Sequence, residues 1–161
     1  MTMPAIAPED IDRIMAVMAS AFEPHWGEAW TRPQVESALS SGYCAYFLIG
    51  PEGGAPDPGA AVAGFALVRS LFDEAELLLF AIDAAWQRQG LGRRLLEDVL
   101  AQARSAGIRR MLLEVRAGNK AEQLYRTLGF APIGRRAGYY RAQNGERLDA
   151  ITLSCTVSER E

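Results

Sequence analysis

The chain has 161 residues, 49% of them hydrophobic and 23% charged, with a net charge of −3 at pH 7. This length and balance exclude a disordered or low-complexity chain and predict a single globular domain over residues 1–161 with a sizeable core. The negative charge argues against direct nucleic-acid binding, which draws on a clear basic excess, and suits a cationic partner such as a basic peptide or an amine.

Cys44 and Cys155, the two cysteines, each stand in an apolar run with no second thiol or histidine at metal-ligand spacing. Buried free thiols in a reducing cytoplasm are expected, and no metal site. The start, MTMPAIAPED, lacks both a basic segment and a long apolar one, and no stretch reaches the roughly 18 apolar residues of a spanning helix. The chain therefore reads as soluble and unprocessed, with no membrane partner, and no feature of the sequence sets an oligomeric state.

In chain order, Ile11, Ile14, Met15, Met18 and Phe22 recur at helical spacing behind Pro8, Glu9 and Asp10, which suit a first turn. Thr31 followed by Gln34 is a capping-box pattern for a second helix, and EPHWGEAW between the two reads as a loop holding His25, the sole histidine, at the surface or at a substrate lip. YCAYFLI, AVAGFALVRSLF and AELLLFAID read as three strands of an antiparallel meander, broken by a Pro/Gly loop at 51–60 and a turn at Phe72 to Ala75. From Leu91 the period changes to a helical stripe closed by Gly107, followed by IRRMLLEV as strand, KAEQLYRTL as helix, FAPIGRR as strand and DAITLSCTV as strand. Strand and helix alternating in this way predict an α/β arrangement.

WQRQGLGRRLLEDVL places Gly90 and Gly92 among arginines where the long helix begins. A helix start offers unpartnered N–H groups and partial positive charge, and glycines let an anion approach the backbone, so this is a candidate phosphate cradle. The competing reading is a glycine-permitted turn with solvated arginines. A P-loop would need Lys-Ser/Thr after the glycines, and a dinucleotide fingerprint a third spaced glycine with a later acidic residue; neither is present.

QRQGLG, preceded by LLLFAID and followed by LLEVRAGN, LYRTLGF and GYY, resembles the acyl-CoA loop and flanking elements of the GNAT superfamily of N-acetyltransferases, over more than half of the chain. LEVR, LYRTLGF and the RR-x-x-YY series are similar to the RimI type, the ribosomal-protein alanine N-acetyltransferases. The resemblance implies an α/β (α+β) GNAT fold, a mixed central sheet of about six to seven strands splayed in the middle and flanked by about four helices. It also implies acetyl-CoA as co-substrate, with the strand at Phe80, Ala81 and Ile82 pairing with its pantetheine arm. Arg88, Gln89, Gly90, Leu91, Gly92 and Arg93 would cradle the pyrophosphate, Asn119 would touch the pantetheine side, and Tyr125 would sit by the sulfur.

Transfer to an amine needs a base, an oxyanion donor and an acid. The resemblance implies Glu114 in LLEVR as base and Tyr125 as acid, with Glu76 on the strand before the glycine loop as a rival base. Read from its surroundings, Glu114 is a strand carboxylate crowded by apolar neighbours, a setting that tends to raise a carboxyl pKa. The plainer reading pairs it with Arg116 or Arg110. Tyr125 flanked by Leu124 and Leu128 also fits an ordinary core aromatic.

Trp30, Tyr139 and Tyr140 are the candidate acceptor contacts, and Glu74, Glu76 and Glu114 are expected to receive a basic N-terminal peptide. The acceptor implied is the N-terminal alanine of a small-subunit ribosomal protein. Small-molecule amines, lysine side chains and a non-catalytic acyl-CoA-binding module remain alternatives. NKAEQLY is one residue shorter than the usual spacing, and Arg141 stands where proline is common.

Overall fold

A computed structural model describes residues 7–158, so most of the start read above for targeting signals lies outside the described residues. Pro8 opens α1 (Pro8–Ala21) where a missing N–H is harmless, and Ile11, Ile14, Val17 and Met18 form its buried stripe. At α2 (Arg32–Ser40) the capping box is present. The Thr31 hydroxyl accepts from Gln34 N–H at 3.4 Å, and Gln34 Oε1 accepts from Thr31 N–H at 2.7 Å.

β1 (Cys44–Ile49), β2 (Gly64–Leu71) and β3 (Glu74–Ile82) form the antiparallel meander. Their second turn is tighter than the expected break at Phe72 to Ala75, because Glu74 and Ala75 already pair with Leu71 and Ser70. Then come α3 (Leu91–Ser105), β4 (Arg110–Arg116), α4 (Ala121–Thr127), β5 (Ala131–Arg141) and β6 (Arg147–Thr156). β5 outruns FAPIGRR and takes Tyr139 and Tyr140 into the strand, so the hairpin turn falls later, at 142–146.

Among the described residues the fold is a six-stranded sheet in the order β1-β2-β3-β4-β6-β5 with four α-helices. The sheet is mixed, as the resemblance implied. β3 and β4 are parallel, whereas β6 inserts between β4 and β5 and pairs antiparallel with both.

β3 and β4 pair only from Glu74 opposite Arg110 to Leu77 opposite Leu113. Beyond that point β3 stays on β2 and β4 stays on β6, so the sheet splits in its middle. The split coincides with a bulge: Leu67 faces Leu79 and Val68 faces Leu77, leaving Leu78 without a partner. The extra residue also reverses which face each side chain takes. Ala75 and Leu77 pack with α3, whereas Leu79 and Ala81 join Ile14, Val17 and Val35 under α1 and α2.

Two apolar layers thus sandwich the sheet, one under α3 and one under α1 and α2. Leu96 on α3 is fully buried in the first. Leu96→Ala should cost about 2–5 kcal/mol, read as a lower urea midpoint with unchanged m-value.

Candidate active site

A cavity of about 1200 Å³ occupies the split. Its β3 wall carries Phe80, Ala81 and Ile82, on the stretch whose edge toward β4 has no strand partner. Backbone N–H and C=O groups along such an edge are free to pair with an extended ligand.

At one end of the cavity α3 begins. Gly90 caps the helix in the left-handed region (φ +81°), and the Arg94 N–H to Gly90 carbonyl bond at 3.2 Å is the first of the helix. The N–H groups of Leu91, Gly92 and Arg93 are therefore the orphan donors of the first turn. A Cβ on Gly92 would stand 3.4 Å from both Phe80 Cζ and Leu124 Cδ2, so glycine lets the helix start lie against β3 and α4. Arg88 (φ +63°), Gly90 and Arg93 line the cavity, and Gln87 Nε2 donates to the Ile82 carbonyl at 2.9 Å, tying the loop to the end of β3. Gln89 is exposed and the Leu91 side chain is buried in the core, so backbone is what these two can turn toward a ligand.

Tyr125 is the buried residue of α4, and it also lines the cavity. Its ring meets Phe80 and Phe130 edge to face, each at 5.9 Å between centroids. Burial raises its phenol well above the ordinary value, and the nearby Glu28 and Tyr140 push the same way. Core packing and a position at the cavity are thus combined in one side chain.

On the α1/α2 face of the sheet, Glu114 is the first β4 residue beyond the paired stretch, with its side chain 19% exposed. Its cation is neither Arg116 nor Arg110 but Arg136 of β5, whose Nε lies 2.8 Å from Oε1. Arg110 instead faces Glu74 at 3.7 Å, and Arg69 pairs with Glu76. The three carboxylates expected to stand open to a basic peptide therefore each hold an arginine already. Glu76, opposite Leu112, lies where β3 and β4 are still joined.

Sequence reasoning missed Glu28. Its Oε1 accepts from Arg116 Nε at 3.1 Å and its Oε2 from Asn119 Nδ2 at 2.9 Å, while Asn119 Oδ1 accepts from Ala121 N–H at 2.9 Å. Asn119 lines the cavity, but its amide is committed on both sides. The Arg116 guanidinium also lies 4.0 Å from the centre of the Trp26 ring. No local pattern announces these contacts, because Glu28 is 88 positions from Arg116 and 91 from Asn119.

Glu28 belongs to the α1–α2 loop, and that loop meets the β5–β6 hairpin. Gln143 N–H donates to the His25 carbonyl at 2.8 Å. Gly27, at φ +68°, passes so close to Arg141 that a Cβ would stand 2.9 Å from its carbonyl oxygen. The two segments thus join beside the cavity, where His25 stacks edge-on against Trp26. Trp30, Tyr139 and Tyr140 line that same end, with the tyrosine rings perpendicular at 5.0 Å. Burial pushes Tyr140 up to about 12, and Glu28, Glu114 and Tyr139 add to the shift while Arg116 opposes it.

Among the described residues there is no group of three or more His, Cys, Asp or Glu able to hold a metal, and no helix long and apolar enough to cross a membrane. Both cysteines are buried and unpaired. A split mixed sheet with a glycine-capped helix start at the gap defines the class: residues 11–130 match the Acetyltransferase (GNAT) family, and the chain belongs to it.

Within that family it is 42% identical over 98 residues to the ribosomal protein bS18-alanine N-acetyltransferase of Escherichia coli (strain K12), a match covering 60% of this chain and 66% of the relative, just under two thirds of its length. A Bacillus subtilis (strain 168) protein bearing a provisional form of the same name is 31% identical over 153 residues, 94% of this chain and 92% of that one. The crystal structure of the ribosomal-protein-S18-alanine N-acetyltransferase from Escherichia coli superposes with a TM-score of 0.82 at 29% identity, covering 100% of this chain and 97% of that chain.

The Glu28 and Arg116 side chains are only 12% and 10% exposed. Glu28→Ala leaves a buried guanidinium unpaired and should lower stability by about 3–5 kcal/mol in urea unfolding; adding Arg116→Met should recover much of the loss. Tyr46 is likewise pushed up to about 12, first by burial and then by Asp10. Folded-state values of Tyr46, Tyr125 and Tyr140 above the unfolded value near 10 mean that the folded chain holds protons the unfolded chain releases. Their contribution to stability is full below about pH 10 and is lost as pH rises through the folded values. Tyrosinate absorbance should therefore titrate in two groups, with the late group appearing alongside unfolding.

Proposed function

We propose that residues 1–161 act as one cytoplasmic acetyltransferase domain that moves an acetyl group from acetyl-CoA to the N-terminal α-amine of a protein, with the N-terminal alanine of a small-subunit ribosomal protein as the favoured acceptor. One observation carries this reading: a single cavity joins an anion cradle at the start of α3 to a carboxylate and tyrosine cluster beside the α1–α2 loop. The similarity to bS18-alanine N-acetyltransferases supports the choice of acceptor, and the buried unpaired thiols suit a reducing compartment.

The residues present fit acetyl-CoA. Three orphan N–H groups and Arg88 suit a pyrophosphate, the open β3 edge suits an amide-bearing arm, and Tyr125 lies beyond Phe80 for the sulfur end. Acetyl-CoA supplies an acetyl group activated as a thioester. Glu114 takes the proton from the acceptor nitrogen, and a backbone N–H of the open edge receives the carbonyl oxygen as charge grows on it. Glu114 is preferred to Glu76 because it stands past the point where β3 and β4 separate.

Tyr125 acts at the leaving sulfur. A phenol held above about 10 does not readily surrender its proton to a thiolate whose thiol is near 8.5. Tyr125 therefore donates a hydrogen bond as the C–S bond breaks, and the proton taken from the amine finally completes the thiol. An α-amine, near 7.7–8.0, is partly neutral at cell pH while lysine near 10.4 is not, so a single carboxylate suffices more easily for an N-terminus.

The test is acetyl transfer to peptides followed by mass spectrometry and thiol release. Ala-starting peptides should turn over, with Glu114→Gln lowering kcat/KM by about 10²–10⁴-fold and Tyr125→Phe lowering kcat while leaving acetyl-CoA binding intact. Turnover confined to lysine or polyamines would sink the acceptor. Equal rates for wild type and the double variant would leave an acyl-CoA-binding module.

A further inference from the structure

Two of the ion pairs on the α1/α2 face of β4 are opposite in character. Arg116 and Glu28 are almost wholly buried, bonded at 3.1 Å, and fixed further by Asn119 and Trp26. The Glu114–Arg136 pair is lopsided: Glu114 is 19% exposed and Arg136 is 61% exposed. Among the described residues, Arg136 adds to its Nε contact only the distant face of Tyr139, 5.4 Å from its guanidinium carbon.

Register explains how it reaches. Glu114 lies opposite Thr152 of β6, which in turn faces Gly134 of β5. Arg136 itself lies opposite Ala150, which faces Arg116, so its side chain reaches Glu114 diagonally across β6, past the small side chain of Ala150. On the far side of Arg136 the ladder is interrupted as far as Tyr140, where Gly138 N–H is held by Asp149 Oδ1 at 2.9 Å and Arg135 by the same carboxylate. Neighbouring charges are thus satisfied elsewhere, and Arg136 meets Glu114 as a long, largely solvent-exposed cation.

We propose that Arg136 is a displaceable stand-in for the acceptor's ammonium: it occupies Glu114 while the acceptor site is empty and is exchanged for the incoming α-amine, making it a specificity residue for a cationic acceptor end. This rests on the proposed transfer to an α-amine. An ammonium replacing a guanidinium keeps the carboxylate neutralised throughout. It then delivers its own proton: the N–H bond breaks, an O–H bond forms on Glu114, and the nitrogen keeps the electron pair; Glu114 passes this proton to solvent, and the second amine proton, released as C–N forms and C–S breaks, is the one that completes the thiol.

The test compares wild type, Arg136→Gln and Arg136→Lys, all saturated with CoA, for binding of an Ala-starting peptide and its desamino analogue by calorimetry, with kcat and KM measured in parallel. Removing a competitor worth one exposed ion pair should tighten binding of the amine peptide, and lower its KM, by roughly two- to five-fold. The desamino analogue should bind all three proteins alike, and Arg136→Lys should match wild type. In a Glu114→Gln background Arg136→Gln should change nothing, which a merely structural role would not produce. Unchanged or weaker amine-peptide binding by Arg136→Gln, with wild type still turning over, overturns the exchange alone. Failure of wild type to acetylate any α-amine peptide overturns the proposed function and the exchange with it.

Discussion

Everything in this molecule that concerns the site depends on where β3 stops pairing with β4. Four residue pairs hold the strands together, and Leu78 then enters the β2–β3 ladder as an unpaired extra residue. A bulge of this kind increases local twist and bends the strand that carries it. Here it turns the end of β3 away from β4, frees one edge of backbone, and flips the alternation so that Phe80 and Ile82 rather than Leu79 and Ala81 look toward α3. An open edge inside a sheet is normally a liability, because each buried N–H or C=O left without a partner costs free energy. In this fold it is tolerable because the gap is a cavity that a ligand with its own amides can enter.

The split makes other requirements on the chain. α3 must begin close to β3 without filling the gap, which is the role of Gly92, and its first turn must stay open, which a glycine cap achieves because it offers no side-chain acceptor to the orphan N–H groups. α4 must then bridge the opening, and it does so through Tyr125, wedged between Phe80 and Phe130. With no disulfide available, the opposite rim is held by charge instead: Glu28 joins the α1–α2 loop to the end of β4 and to the loop leading into α4.

Much of this was legible in order along the chain. Helix starts, the capping box at Thr31, the glycine stops at Gly107 and Gly129, and the meander follow from local rules that act over a few residues. The glycine-capped start of α3 was legible as well, since Gly90 and Gly92 adjoin a periodic stripe. What escaped is non-local. The Leu78 bulge has no signature of its own, as the largely apolar run ELLLF looks the same in either register, and the insertion of β6 between β4 and β5 is a topological choice that strand and helix order does not encode. The length of β5 was hidden because its exposed residues do not alternate.

The charged residues show what a count of acids leaves out at the acceptor end. Glu74, Glu76 and Glu114 suggested a negative patch, yet Arg110, Arg69 and Arg136 come from elsewhere in the sheet to meet them. Net potential at such a site is set by which of these partners can leave. A pair between two well-exposed groups is weak and easily exchanged, while a desolvated one such as Glu28–Arg116 is costly to open once formed. Under the proposed exchange, selectivity for a cation arises where the recessed Glu114 carboxylate meets the solvated Arg136 guanidinium. On that proposal it is this combination, rather than any excess of acidic residues, by which an acidic chain of modest net charge would receive a positive chain end without leaving a recessed carboxylate uncompensated in its absence.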